Sequence, residues 1–346
     1  MSVTKRDIRK FSTEQLKSWL SENGEQGFRA KQIEEWLWKK SARSFSEMSN
    51  LSLKTRTLLE ESFGIYGVET ANTQKSNDGT IKSAFRLADG NLVEGVLIPA
   101  SNRMTACVSS QVGCSLSCKF CATGYMERMR NLDPAEIYDQ VVEISRQAES
   151  HFQHPLTNIV YMGMGEPLLN YANVMKSIDL ITSPNGLGMS PKRITVSTAG
   201  IAKMITRLAE EEVRFRLALS LHAANDEKRS QIMPINETNT LDNLADALNL
   251  FHEKTGNRIT LEYIIFDKFN DNISDARELL EFAKRVHARV NIIEYNPIRE
   301  ADFLNAREDR VSMFAHYLES RGAVVNVRRS RGKDIDAACG QLANKS

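Results

Sequence analysis

Four of the five cysteines, Cys107, Cys114, Cys118 and Cys121, fall within 15 residues, and Cys339 stands alone near the end. A disulfide framework would spread an even number of cysteines along a secreted chain. This odd, clustered set points instead to metal binding or redox chemistry in a reducing cytoplasm. Cys114, Cys118 and Cys121 form the run CSLSCKFC. Three thiolates on one short loop can converge on a metal centre, and thiolates select zinc or iron–sulfur clusters. Structural zinc wants a fourth ligand, which Cys107 would have to supply from the preceding strand. A four-iron cluster on three thiolates keeps one iron open for chemistry. On residue type alone both readings stand, beside that of buried inert thiols. Cys339 in AACGQL reads either as an incidental exposed thiol or as a reactive one.

The elements that must position these residues alternate. Strands are predicted over 105–112, 158–162, 193–197, 216–221, 259–266, 290–295 and 324–327. Helices are predicted over 134–148, 174–181, 201–211, 241–254, 274–288 and 307–321. Asp133 followed by Pro134 starts the first of them. Such an alternation implies right-handed βαβ units and a parallel sheet. Six units are too few for an eight-stranded barrel, which takes about 250 residues, so an open, partial (β/α)6 barrel is expected. Its ligands belong at the carboxyl ends of the strands. Upstream, 83–87 and 92–98 read as a hairpin turning at Asp89-Gly90. The first 60 or so residues read as short helices, at 11–20 and 30–40, and carry all three tryptophans, Trp19, Trp36 and Trp38. The expected organisation is an N-terminal helical RNA-binding domain (1–66), a β extension (67–99), the α/β partial barrel (100–330) and a C-terminal segment (331–346).

Composition excludes several classes. The 346 residues are 41% hydrophobic and 26% charged, which is ordinary for a globular chain. No run approaches the roughly 18 apolar residues of a membrane span, and the opening MSVTKRDIRKFSTEQ has no apolar core of the secretory kind. A cytoplasmic protein without a membrane partner is expected. With 45 basic and 44 acidic residues the net charge is +1, so any RNA site must be a local patch. Basic residues interleave with the tryptophans, and Arg328, Arg329, Arg331 and Lys333 precede Cys339. The plainer reading of Trp36 and Trp38 is helix packing.

The cysteine run, with Phe120 before its last cysteine, resembles the radical S-adenosylmethionine (radical-SAM) superfamily. The longer string TACVSSQVGCSLSCKFCATG (105–124) is similar to the RlmN/Cfr family of RNA adenine methyltransferases. So are MGMGEPLLN (162–170), RITVSTAG (193–200), LSLHAANDEKR (219–229), MPIN (233–236), YNP (295–297) and DIDAACGQL (334–342). Upstream, GFRAKQIEEWLW (27–38), DGTIK (78–82) and VEGVLIP (93–99) extend the resemblance over essentially the whole chain.

The resemblance implies a [4Fe-4S] cluster on Cys114, Cys118 and Cys121, with S-adenosyl-L-methionine on the open iron. Gly165, Glu166, Ser197, Ser220, Leu221, His222 and Asn296 are implied cofactor contacts. Without it, Gly165-Glu166 is an ordinary strand-to-helix turn and a lone serine at such a place is a helix cap. The implied reaction uses two S-adenosylmethionine molecules per turnover and an external, flavodoxin-type electron donor. One cofactor methylates Cys339; the second yields a 5′-deoxyadenosyl radical that removes hydrogen from the S-methyl group. The carbon radical adds to adenine, and Cys107 then releases the product by forming a disulfide with Cys339. Glu94 is the implied proton acceptor, although a strand glutamate there otherwise reads as a solvated face residue. The implied substrates are 23S rRNA and tRNA, with methylation at carbon 2 of adenine. A carbon-8 enzyme of the same family is the alternative; MGMGEP favours carbon 2, whereas YMERMR (125–130) departs from the usual glycine-containing loop. A zinc-stabilised RNA-binding protein without catalysis is the reading from another class.

Overall fold

The computed structural model describes residues 5–344. The extreme ends of the expected 1–66 and 331–346 segments lie outside the described residues. One ten-stranded sheet organises the larger part of the chain. Its strands, in chain order, are β1 (Glu69–Lys75), β2 (Ile81–Arg86), β3 (Leu92–Ala100), β4 (Arg103–Cys107), β5 (Asn158–Tyr161), β6 (Ile194–Thr198), β7 (Arg216–Ser220), β8 (Thr260–Ile264), β9 (Arg289–Ile293) and β10 (Val325–Arg328). The spatial order follows the chain order. The hairpin strands β1 to β3 pair antiparallel and join β4, while β4 to β10 are all parallel. Residues 69–100 are thus hydrogen-bonded into the same sheet as the cysteine-bearing strand.

Helices connect the parallel strands. They are α4 (Pro134–Phe152), α5 (Tyr171–Thr182), α6 (Ala202–Glu210), α7 (Asp226–Ile232), α8 (Leu241–Thr255), α9 (Ile273–Arg285) and α10 (Glu308–Glu319), following α1 (Thr13–Glu22), α2 (Arg29–Glu34) and α3 (Leu53–Ser62) of the N-terminal region. This is an α/β partial barrel of six strand–helix units closed off by a seventh parallel strand. The start of α4 follows the sequence signal: Asp133 and Glu136 form a capping box around Pro134. At the far end of α8, Gly256 takes the left-handed conformation (φ +67°) that ends the helix. Strands such as β8 are buried along their whole length, as a parallel sheet covered on both faces requires.

The predicted strand over 105–112 is interrupted. Pairing stops at Cys107, and Gln111–Val112 instead pairs with Arg130–Asn131. The break comes from the backbone turning toward residues 163–164: the Ser109 hydroxyl donates to the Glu94 carbonyl at 2.6 Å, and the Met164 amide donates to the Ser109 oxygen at 2.8 Å. α7 was not legible, being seven residues long and started by the Asn225 side chain.

The N-terminal helices have their own core, built from residues such as Leu20, Ile33, Leu37, Phe45 and Leu59, with all three tryptophans packed partly buried against it. α4 joins this region to the barrel. Arg9 pairs with Asp7 and with Asp139 of α4, both at 2.8 Å; Arg43 pairs with Glu143, and Tyr138 donates to the Trp38 carbonyl. Trp38 also meets the Tyr138 ring edge-on at 5.3 Å.

Candidate active site

The carboxyl ends of β4 to β8 open into one cavity. Its wall includes Cys114, Cys118 and Cys121, then Gly165 and Glu166, Ser197, Ser220 and His222, and finally Cys339. A smaller cavity beside it is lined by Cys107, Met162, Arg328 and Cys339. Cys339, Met162, Ile293 and Arg328 therefore belong to both walls. The structure brings most of the expected residues together and leaves three off the walls: Leu221, Asn296 and Glu94.

The cysteine loop is fixed by apolar packing. Cys114, Cys118 and Cys121 pack with Leu116, Phe120, Ile232, Met233 and Phe266. Burial raises all three thiols, Cys114 to about 11, so their thiolates need a cationic partner. Among the described residues no three His, Cys, Asp or Glu side chains gather closely enough to share one metal ion. A polynuclear cluster takes one thiolate per iron, so three sulfurs spread around a wall suit it better than they suit one zinc.

After β5, Gly165 takes φ +93°, and a Cβ there would lie 2.5 Å from the Gln111 side chain. Glycine lets the chain turn there, so that the Glu166 amide reaches the Gln111 side-chain oxygen at 2.8 Å. The Glu166 carboxylate is fully enclosed and accepts from the Leu168 and Ala199 amides at 3.0 and 2.8 Å. Burial raises its pKa, and these bonds oppose the rise. Ser197 and Ser220 bring their hydroxyls to 3.5 Å from one another. His222 accepts the Ile264 amide on Nδ1 at 3.1 Å, and burial, aided by the Arg229 charge, lowers it to about 3. The imidazole is therefore neutral. Leu221 acts through its backbone: its amide donates to the Glu262 carbonyl, and its own carbonyl accepts from Arg229.

The segment around Cys339 has little regular structure and is held by residues from far apart in sequence. Ser76 and the Asn77 amide bind Asp334, and Asp78 accepts the Gly332 amide at 3.0 Å. The Ala122 amide donates to the Gly340 carbonyl at 2.7 Å and the Thr123 hydroxyl to the Leu342 carbonyl at 2.6 Å. Asn296 donates to the Cys339 carbonyl at 3.1 Å, which places this expected cofactor contact on the cysteine's own backbone. Its Oδ1 is buried without a hydrogen-bond partner.

Glu94 is not a solvated face residue, as its type alone suggests: it is 1% exposed. One carboxylate oxygen accepts the Ala343 and Asn344 amides at 2.8 and 3.1 Å, and the other lies 3.4 Å from Lys82 Nζ. The resemblance also implies a Cys107–Cys339 disulfide, but all five cysteines are free thiols here. Cys107 is buried and Cys339 exposed along the cavity wall. Burial raises the Cys107 thiol, and the nearby Arg328 guanidinium opposes this; the same guanidinium acts to lower Cys339.

Three residues of the site carried no assigned role in the sequence. Arg328 was one member of a basic run. Glu262, on β8, lines the main cavity with one buried oxygen lacking a hydrogen-bond partner. Arg229 lay inside a quoted motif. A buried charge on a strand or a seven-residue helix gives no periodic signal, so only the resemblance string marked Arg229. The rest of the basic run is partly consumed internally, with Lys333 on Glu294 at 2.5 Å and Arg329 3.8 Å from Glu308.

Comparison with known proteins agrees over the whole chain. Residues 108–283 match the Radical SAM superfamily, and residues 6–65 match the ribosomal RNA large subunit methyltransferase N-terminal domain. A protein of Cytophaga hutchinsonii named "Probable dual-specificity RNA methyltransferase RlmN" is 63% identical, covering 99% of this chain and 94% of its own. The dual-specificity RNA methyltransferase RlmN of Nitratidesulfovibrio vulgaris (strain Miyazaki F) is 44% identical, with 97% and 94% covered. The crystal structure of a radical SAM methyltransferase from Sphaerobacter thermophilus superposes with a TM-score of 0.92 at 38% identity, covering 98% of this chain and all of that one. A fold, a cavity ringed by three thiols and full-length identity at this level lead to one assignment: the chain belongs to the RlmN family of radical SAM RNA methyltransferases.

Proposed function

We propose that this RNA methyltransferase transfers a methyl carbon to carbon 2 of adenine in 23S rRNA and tRNA, with Cys339 as carrier and Cys107 as the releasing thiol. The observation that carries the reading is that Cys339 borders both cavities, one holding the three loop cysteines and the other holding Cys107. A sulfur so placed can serve partners on two sides with little travel. Cys114, Cys118 and Cys121 would hold the [4Fe-4S] cluster, and Glu166, Ser197 and Ser220 on the same wall offer acceptors for the ammonium and hydroxyl groups of S-adenosylmethionine. When bound, the cluster supplies the electron, from an external donor, that radical SAM chemistry consumes.

The chain's own residues account for the remaining steps. Cys339 takes a methyl group as a thiolate, a form that the neighbouring Arg328 charge favours. Once that carbon is joined to the base, the Cys107 thiolate attacks the Cys339 sulfur. The S–S bond forms as the S–C bond breaks, the departing carbon takes a proton, and a thiol reductant later restores both cysteines. If Glu94 takes the ring proton, it must first release the Ala343 and Asn344 amides. Its resting role is to anchor the carrier segment.

The test is RNA from a deletion strain, with and without this chain, digested and separated by chromatography with mass detection. The expected product is 2-methyladenine in both rRNA and tRNA. A dominant 8-methyladenine peak would assign the chain to the carbon-8 chemistry instead.

A further inference from the structure

Arg229 is fully buried on α7, the helix whose last residue, Ile232, is hydrogen-bonded to the cysteine loop. Its Nε donates to the Leu221 carbonyl at 3.1 Å and its Nη1 to the Asn236 side-chain oxygen at 2.7 Å. Nη2 donates to the Ala199 and Ser220 carbonyls at 2.5 and 3.2 Å. Every one of these acceptors is neutral. Asp226, one turn earlier on the same helix, is turned to the Asn236 side chain at 2.8 Å and the Leu241 amide at 3.0 Å. A buried cation with no anion bonded to it is costly, and hydrogen bonds to carbonyls satisfy its protons without cancelling its charge; Asp226 acts on it only through space.

The missing anion has an obvious place. Ala199 and Ser220, which hold the guanidinium, line the same cavity as Cys118. The end of α7 is tied to the loop: the Ile232 carbonyl accepts the Lys119 amide at 3.0 Å, directly after Cys118. Ile232 and Met233 pack among the three cysteines. A four-iron cluster on three thiolates is anionic, gains another negative charge on reduction, and has a potential set partly by nearby charge. We propose that Arg229 is the fixed counter-charge of the cluster, favouring its reduced state and so raising its reduction potential. Burial lowers the Arg229 pKa to about 10, which still leaves the side chain charged at neutral pH.

The inference rests on reading Cys114, Cys118 and Cys121 as cluster ligands, and the test separates the two. Arg229→Lys and Arg229→Gln proteins are reconstituted anaerobically beside the unaltered chain. Iron content and the EPR-monitored midpoint potential are measured without S-adenosylmethionine or RNA. Iron-free unaltered protein would fail the cluster reading itself. If the charge is what matters, the lysine variant holds its cluster near the original potential. The glutamine variant then holds it at a lower potential or not at all. A loaded glutamine variant with unchanged potential, or a lysine variant that loses the cluster, overturns the proposal.

Discussion

The cluster loop and the carrier segment lie against one another but are held by different physics. The loop is packed among Leu116, Phe120, Ile232, Met233 and Phe266, with the Phe120 ring edge-on to His222 at 4.6 Å. The segment over 331–344 has one short turn, Lys333–Ile335, and left-handed backbone at Gly332, Asp336, Gly340 and Asn344. Side chains and amides from residues 76–78, 94, 122–123 and 296 hold it, and its own apolar anchors are Ala337, Ala338 and Leu342. Apolar packing is lost cooperatively, whereas separate hydrogen bonds can be released in turn. A ligand cage benefits from the first. On the proposed mechanism the Cys339 sulfur meets a cofactor, a base and Cys107 in succession, and it benefits from the second.

Breaking the rigid side has the largest expected effect. Cys118→Ala should abolish the cluster and all 5′-deoxyadenosine formation, because the open iron requires the other three to be held. Iron analysis and chromatography of the cofactor products check this. Full iron content in that variant would sink the ligand assignment.

On the carrier side the two lone cysteines should fail differently. Cys339→Ala should remain folded and cluster-bearing but carry no methyl group and methylate no RNA. Cys107→Ala should accumulate protein joined to RNA through Cys339, seen as a slow band on a denaturing gel and as a modified peptide by mass analysis. Normal turnover by Cys107→Ala would leave Cys107 a structural thiol.

Much of this contrast was legible beforehand, and unevenly. The parallel strands follow from apolar runs with helical spacing between them, and Asp133-Pro134 placed α4 correctly. Strand ends were misjudged where the backbone turns without a breaker, as at Ser109. The cysteine run pointed to one wall of the cavity because its three thiols are local in sequence. The grip on Cys339 was not legible from residue type: it joins Ser76, Glu94, Thr123 and Asn296, each polar and unremarkable where it stands. Those positions fall in or beside separate resemblance motifs whose common purpose appears only once the chain is folded. Buried Glu94 is the sharpest instance, since alternation along a strand cannot say what covers its outer face.

Loosening the grip by one bond should have an intermediate effect. Glu94→Gln removes the negative charge that holds two tail amides and faces Lys82, and charge-assisted hydrogen bonds of this kind contribute about 1.5–3 kcal/mol. Methyl incorporation into Cys339 from S-adenosylmethionine, measured without RNA, should slow by roughly tenfold. The readout separates an anchor from a base. A residue that acts only on the adenine adduct leaves this first step unchanged, and unchanged S-methylation with impaired RNA methylation would return Glu94 to the role of proton acceptor.

The smallest effect concerns the rigid side again, through pH. His222 is enclosed at the cage, neutral, with Nδ1 committed to the Ile264 amide. Its pKa is about 3 in the folded chain, lowered by burial and by Arg229, against about 6.5 in an unfolded one. Between those values the unfolded chain binds a proton that the folded chain does not. The resulting stability is complete above about pH 6.5 and declines as pH falls toward 3, at up to about 1.4 kcal/mol per pH unit. Glu166 and Glu262 act in the opposite sense, because burial raises both carboxyls and the folded chain then takes protons more readily than the unfolded one. A difference between variants isolates the histidine. Asn at position 222 tolerates the left-handed backbone (φ 54°) and offers an oxygen where Nδ1 accepts. Urea midpoints of the unaltered protein and of His222→Asn should therefore differ most at pH 7.5 and converge or cross as pH is lowered through 6 to 5. A constant gap across that range would mean that His222 does not stay neutral in the folded cage.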